Sequence, residues 1–227
     1  MQGLSIHLYQ KNSLALAWSE AECISQLSFF SKQIAAARVA SLVQAQLREN
    51  SLELGDLEYF LVNRGPGSFT GIKIGLAYAQ GVRLARPSLK LRGLSGLALL
   101  SQENSGNVYL LKATRTQGYC FIDGVTRALA LGESGPFFYN PETLVESETE
   151  FDWDRIVFAQ PWPELASKLS SKKDWPVLSS ECLSGQIARG MVSALDQQNI
   201  VLADNNLEAL YLRKSAPEEL LIKKSKN

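Results

Sequence analysis

Histidine occurs once among the 227 residues, at position 7, and this scarcity removes several chemistries together. A zinc site built on paired histidines lacks its second ligand. A Ser-His-Asp or Cys-His hydrolase would have to bring its nucleophile to that single imidazole, and Ser68, in a glycine-rich loop, is not set in a Gly-x-Ser-x-Gly elbow. A solvated or hydrogen-bonded ring is the simpler role for His7. The three cysteines, Cys23, Cys120 and Cys182, are odd in number and far apart, which fits neither a disulfide framework nor a paired-thiol metal knuckle; small core residues in a reducing cytoplasm are the expectation. Excess charge is missing too, with Lys plus Arg and Asp plus Glu at 23 each, so no overall basic field holds a polyanion. No stretch approaches the roughly 20 apolar residues that span a membrane, and Met1-Gln2-Gly3-Leu4-Ser5-Ile6 has no basic segment followed by an apolar one, so the chain is expected to be neither exported nor embedded.

What the chain does have is 45% hydrophobic residues, enough at this length to bury about 70% of the unfolded surface in one large core or two smaller ones. Residues 4–10 and 13–18 are β-like runs about Lys11-Asn12, a pair suited to a tight turn, and 23–30 reads as a third strand. Ser31 then caps a helix predicted through about Asn50. A short apolar strand at 57–62 runs into Asn63-Arg64-Gly65-Pro66-Gly67-Ser68, and a second helix follows over 69–86, ended by Pro87. A strand at 89–91 and a short helix at 94–102 lead to the polar loop 103–107, a domain boundary by composition. In the second half, 108–114 and 119–125 flank a hairpin loop containing Gly118, strands are predicted at 127–131 and 155–159, and a proline-started helix covers 163–170. Leu183, Ile187, Met191 and Ala194 trace one face of a longer helix. The predicted organisation is an N-terminal α/β domain over 1–105, a second over 106–205 and a tail over 206–227 ending in a solvated basic stretch.

Most information lies in residues 65–75, Gly-Pro-Gly-Ser-Phe-Thr-Gly-Ile-Lys-Ile-Gly. A strand, a glycine-rich turn and a helix start can receive an anion on free backbone N–H groups, which makes Gly65, Gly67, Ser68 and Thr70 a candidate nucleotide or anion loop. The spacing fits neither a P-loop nor a dinucleotide fingerprint, and a turn closed by a Ser68 or Thr70 cap with nothing bound explains it equally. On the helix that follows, Gly71, Gly75, Ala79 and Val82 share one side as a row of small residues over which another helix could pack closely. Mid-helix glycine costs about 1 kcal/mol relative to alanine, so two of them need a reason. The first helix has a core face of Ala36, Val39, Leu42, Val43 and Leu47, and opposite it a small, weakly polar strip of Ile34, Ala37, Ser41 and Ala45. Both strips are candidate partner interfaces; a helix pair packed entirely within the monomer is the alternative. Arg64, Lys73, Arg83 and Arg86 are either a local basic patch or charges rimming an interface. Carboxylates such as Asp56, Asp123, Asp152, Asp154 and Asp196 are scattered, and no catalytic pair or metal set is assigned among them.

The string from Gly65 to Gly75 resembles the signature of the TsaB (YeaZ) family, and the element order across nearly the whole chain, to Tyr211-Leu212-Arg213-Lys214, is also similar. The resemblance implies an actin-like, Hsp70-like (ASKHA) α/β fold of two related halves, with no catalysis, metal or cofactor of its own. It implies a partnership with the catalytic paralogue TsaD, joined by the ATPase TsaE, in threonylcarbamoyl modification of the tRNA adenosine beside the anticodon, with tRNA met only through the complex. It further implies a homodimer in isolation and makes the two helices the pairing surface. Some relatives carry a peptidase label, which the ligand inventory above does not support. In the family a first strand with an Ile-Asp-Thr-Ser motif binds phosphate in nucleotide-using relatives; here Met1-Gln2-Gly3 leads into what reads as the second strand, so the first strand of the first half is expected to be missing. Without that Asp, autonomous ATP hydrolysis is disfavoured. The family's histidine in the first helix is replaced by Ala35-Ala36-Ala37-Arg38. The competing reading is a nucleotide-binding enzyme or ATPase of the actin and sugar-kinase type that uses the Gly65 loop.

Overall fold

The computed structural model describes residues 2–7, 13–20, 23–30, 35–103, 106–122, 125–131, 136–139, 146–147, 155–159, 161–169, 176–179, 182–183, 186, 189–190 and 207, with the backbone alone over most of 2–36. It divides into two units, Met1–Gly106 with Leu178–Leu210, and Asn107–Val177 with Tyr211–Asn227. Residues 178–210 thus group with the first unit and 211–227 with the second, a division different from the contiguous halves expected at 1–105 and 106–205.

In the first unit, β1 (Gln2–His7), β2 (Ser13–Glu20) and β3 (Cys23–Phe30) form an antiparallel meander. A 3-10 turn at Ala35–Arg38 leads into α1 (Val39–Glu49); β4 (Tyr59–Gly65), α2 (Phe69–Ala85), β5 (Lys90–Ser95) and α3 (Gly96–Glu103) follow. The sheet order is β3-β2-β1-β4-β5, with β1 and β5 both parallel to β4. This corrects the expected loss of a first strand. Gln2–His7 itself fills the centre of the sheet, pairing Gly3 with Tyr59 and Ile6 with Val62, so the strand is present without the Asp-Thr-Ser of the motif.

Phe60, Leu61, Val62 and Asn63 of β4 are buried in succession, as expected of a parallel strand covered on both faces. On one face α1 and α2 contribute Val39, Val43, Leu47, Ile72, Leu76, Ala79 and Val82 to a core shared with Leu4, Phe60, Val62 and Leu91. Each large aliphatic side chain in that core stabilises the unit by about 1.5–3 kcal/mol. Helix α3 packs against β4 and β5 and buries Leu97, Leu99 and Leu100. The returning segment approaches it closely at Gly190, where an added Cβ would lie 2.7 Å from the Leu99 carbonyl oxygen. Arg86 closes the far end of α2, its Nη1 donating to the carbonyls of Leu54 at 2.5 Å and Leu57 at 2.7 Å.

The second unit contains β6 (Val108–Lys112), β7 (Gln117–Ile122), β8 (Val125–Leu131), β9 (Pro136–Tyr139), β10 (Glu146–Ser147), β11 (Ile156–Phe158) and α4 (Pro163–Leu169). Its sheet runs β10-β9-β8-β7-β6-β11, with β11 parallel to β6. Strands β9 and β10 were not anticipated: four and two residues are too few for a period-2 pattern, and they are defined by pairing, β9 with β8 and β10 with β9. Trp162 sits in the core with Leu110, Cys120, Leu129, Phe138 and Phe158. Its Nε1 donates to the Arg115 carbonyl at 3.0 Å, and its ring covers Gly118, where any Cβ would overlap it. Cys120 behaves as the small core residue expected of it, while Cys182 does not: it is exposed. Ser31, the Lys11-Asn12 turn, Met191, Ala194 and the basic tail fall outside the described residues.

Candidate docking surface and glycine loop

Strand β4 carries one extra residue against β5, Asn63 pairing with Leu94 and Gly65 with Ser95, so Arg64 forms a bulge where the strand gives way to the loop. Gly65 follows at φ 125°, a left-handed backbone that suits glycine. Ser68 caps α2: its Oγ accepts from the Gly71 N–H at 3.3 Å and its carbonyl accepts from Ile72 N–H at 2.8 Å. This is the capping role expected of the position. Two of the donors that an anion would need are engaged internally, Gly65 N–H by the Asn63 side chain at 3.0 Å and Gly71 N–H by Ser68. Gly67 and Ser68 are half-buried and Thr70 is exposed. Among the described residues no group of three or more His, Cys, Asp and Glu side chains is placed to hold a metal ion.

The two strips fare differently. On the 3-10 turn Ala37, and on α1 Ala40, Ser41 and Ala45, are exposed, while Val39, Val43 and Leu47 face inward; Ile34 lies outside the described residues. On α2 the expected surface is turned the other way. Gly71, Gly75, Ala79 and Val82 are buried, Ala79 completely, and Ala79 and Val82 belong to the unit's own core. The reason is helical geometry: at 100° per residue these positions share the inward side with Ile72 and Leu76, and their small side chains let α2 lie close on its own sheet and α1. The outward side carries Phe69, Lys73, Ala77, Gly81 and Leu84. Phe69 is 49% exposed with Lys73 Nζ 4.2 Å from its ring centroid, Leu84 is 83% exposed, and nothing lies within 4 Å of a Cβ placed on Gly81. The signal that could have found this stripe is a second row of small residues, Ala77 and Gly81, beside a leucine, on a helix apolar around most of its circumference.

Across the two units the order β8-β7-β6-β11 repeats β3-β2-β1-β4, a meander of three strands whose first member pairs in parallel with a fourth. A family model described as TsaD, tRNA N6-adenosine threonylcarbamoyltransferase, matches residues 32–136. Two solved structures of Pseudomonas aeruginosa proteins share the fold. One, described as similar to the peptidase YeaZ, superposes with a TM-score of 0.65 at 18% identity over 93% of this chain and 99% of its own. The other, YeaZ itself, gives 0.59 at 16% over 94% and 98%. The repeated α/β halves define the ASKHA class, the fold of actin and Hsp70. Among curated proteins, "tRNA threonylcarbamoyladenosine biosynthesis protein TsaB" of Escherichia coli is 38% identical over 141 residues, 58% of this chain and 61% of its own. The protein of the same name from Buchnera aphidicola subsp. Schizaphis graminum is 32% identical over 66 residues, 29% of this chain and 31% of its own. The matched region therefore spans less than two thirds of either relative. The chain is thus similar in sequence to TsaB proteins over part of its length, and shares its fold with the YeaZ structures.

Proposed function

We propose that this protein serves tRNA threonylcarbamoyladenosine biosynthesis as a non-catalytic scaffold, docking a TsaD-like catalytic subunit through the outward faces of α1 and α2. A TsaE-like ATPase joins through that complex, tRNA is met only within it, and the isolated protein pairs with itself through the same helices. The pathway is that of the relatives named above. The docking mode rests on one observation: α2 leaves Phe69, Ala77, Gly81 and Leu84 uncovered, a small-residue floor with large apolar ends that suits a close-packed helix. The exposed alanines of α1 add a second such strip. The absent first-strand aspartate and the internally engaged loop donors are consistent with a subunit that leaves the chemistry to its partner.

The test uses the full chain with purified TsaD-like and TsaE-like proteins. Sedimentation velocity of Gly81→Trp and Ala77→Arg should show self-association and TsaD-like binding weakened at least tenfold, and modification of tRNA should require the wild-type chain. Unchanged association in both variants removes this surface. Calorimetric ATP binding with turnover by the isolated chain, lost in a Ser68 variant, would replace the scaffold with the enzyme reading.

A further inference from the structure

We infer that the bulge at residues 63–65 is a positioning device for the docking helix, with Asn63 and Gly93 as its pins. The inference rests on the docking role proposed above and adds residues that touch no partner. Asn63 is 2% exposed, and its Oδ1 accepts two backbone N–H groups, from Gly65 at 3.0 Å and from Gly96 at 3.2 Å. Gly65 opens the loop into α2, and Gly96 is the first residue of α3. Neither bond is needed as a helix cap, because Ser68 caps α2 through Gly71 and Ser95 caps α3 through Ala98 at 3.3 Å. The amide instead joins the two departures from the sheet, one from β4 and one from β5.

The cost of this arrangement is visible. Asn63 Nδ2 is buried without a hydrogen-bond partner, a desolvation penalty that an apolar residue of similar size would avoid. A buried amide that leaves its donor unsatisfied contributes through its acceptor, and here the acceptor sets geometry. The second pin is steric. The stem of Arg64, the bulged residue, lies where a Cβ on Gly93 would sit, so an alanine there would overlap Arg64 Cγ and Cδ. The bulge is thus held by the backbone of the neighbouring strand as well as by the amide, and four residues later α2 begins.

Three variants of the full chain test the inference. Asn63→Leu removes the acceptor and relieves the orphan donor, Asn63→Asp keeps the acceptor, and Gly93→Ala displaces the Arg64 stem. Amide exchange at Gly65, Gly96 and the first turn of α2, read without any partner, should quicken about tenfold in Asn63→Leu and Gly93→Ala and stay near wild type in Asn63→Asp. Affinity for the TsaD-like subunit should fall at least tenfold in the first two and be retained in the third, without tracking thermal stability across the set. Unaltered exchange in both Asn63→Leu and Gly93→Ala, or equal loss of affinity in Asn63→Leu and Asn63→Asp, overturns the pinning role. Altered exchange with unaltered affinity also overturns it, while failure of the wild type to bind the TsaD-like subunit or itself sinks the docking reading and leaves the exchange result standing.

Discussion

At the scale of single residues, glycines with different surroundings make opposite predictions. Gly81 is in mid-helix with open space around its missing Cβ, so Gly81→Ala should raise unfolding stability by about 1 kcal/mol, read as a higher denaturant midpoint. Gly118 lies under the Trp162 ring and close to the Leu111 carbonyl, so Gly118→Ala should cost about 1–3 kcal/mol by overpacking. The cysteines separate as sharply. Burial pushes the Cys120 thiol up to about 12, outweighing the opposing pull of Arg127, whereas Cys182 is exposed. At pH 8 a thiol reagent should label Cys182 in the native protein and reach Cys120 only on unfolding, as mass mapping would show. The Ser68 cap was legible in the sequence because it depends on residues three apart. The pins Asn63 and Gly93 were not, since their partners lie about 30 positions away and meet only when β4 pairs with β5.

At the scale of elements, α4 is fastened to β6 and its hairpin by charge. Glu164 accepts from Lys112 Nζ at 2.8 Å and from Arg115 Nε at 3.3 Å, and the Lys112 hydrogen bond is the largest cause of a carboxyl held below its ordinary value near 4.5. A carboxylate whose folded value is depressed stabilises the fold fully above its unfolded value, and loses that contribution as pH falls through the folded one. The Tm of Glu164→Gln should therefore lie below wild type at pH 7, with the gap closing as the pH falls below the ordinary carboxylate range. Helix existence was well predicted by pattern: 69–86 was expected and Phe69–Ala85 is found. Which side faces inward was not, because a helix apolar on most of its circumference offers no polar face to orient it, and the sheet chose the row with the least side chain. Leu84→Arg, on the outward side, should change stability by less than about 0.5 kcal/mol while abolishing association, a pairing of results that urea titration and sedimentation would separate.

At the scale of the whole molecule, two α/β units repeat one strand order, and the sequence suggested this only through its resemblance to a family. Composition and periodicity counted strands but gave no order, because parallel pairing such as Gly3 with Tyr59 joins residues that share no local pattern. The same distance misled the reading of the first residues, which take the middle of a sheet. A ribosome makes β1 first, yet the neighbour that completes its ladder is β4, and Tyr59–Gly65 is synthesised only after three strands' length and a helix have already emerged. Until then β1 is an edge strand of the growing meander, an open ladder that invites mispairing before the segment that covers it has been made.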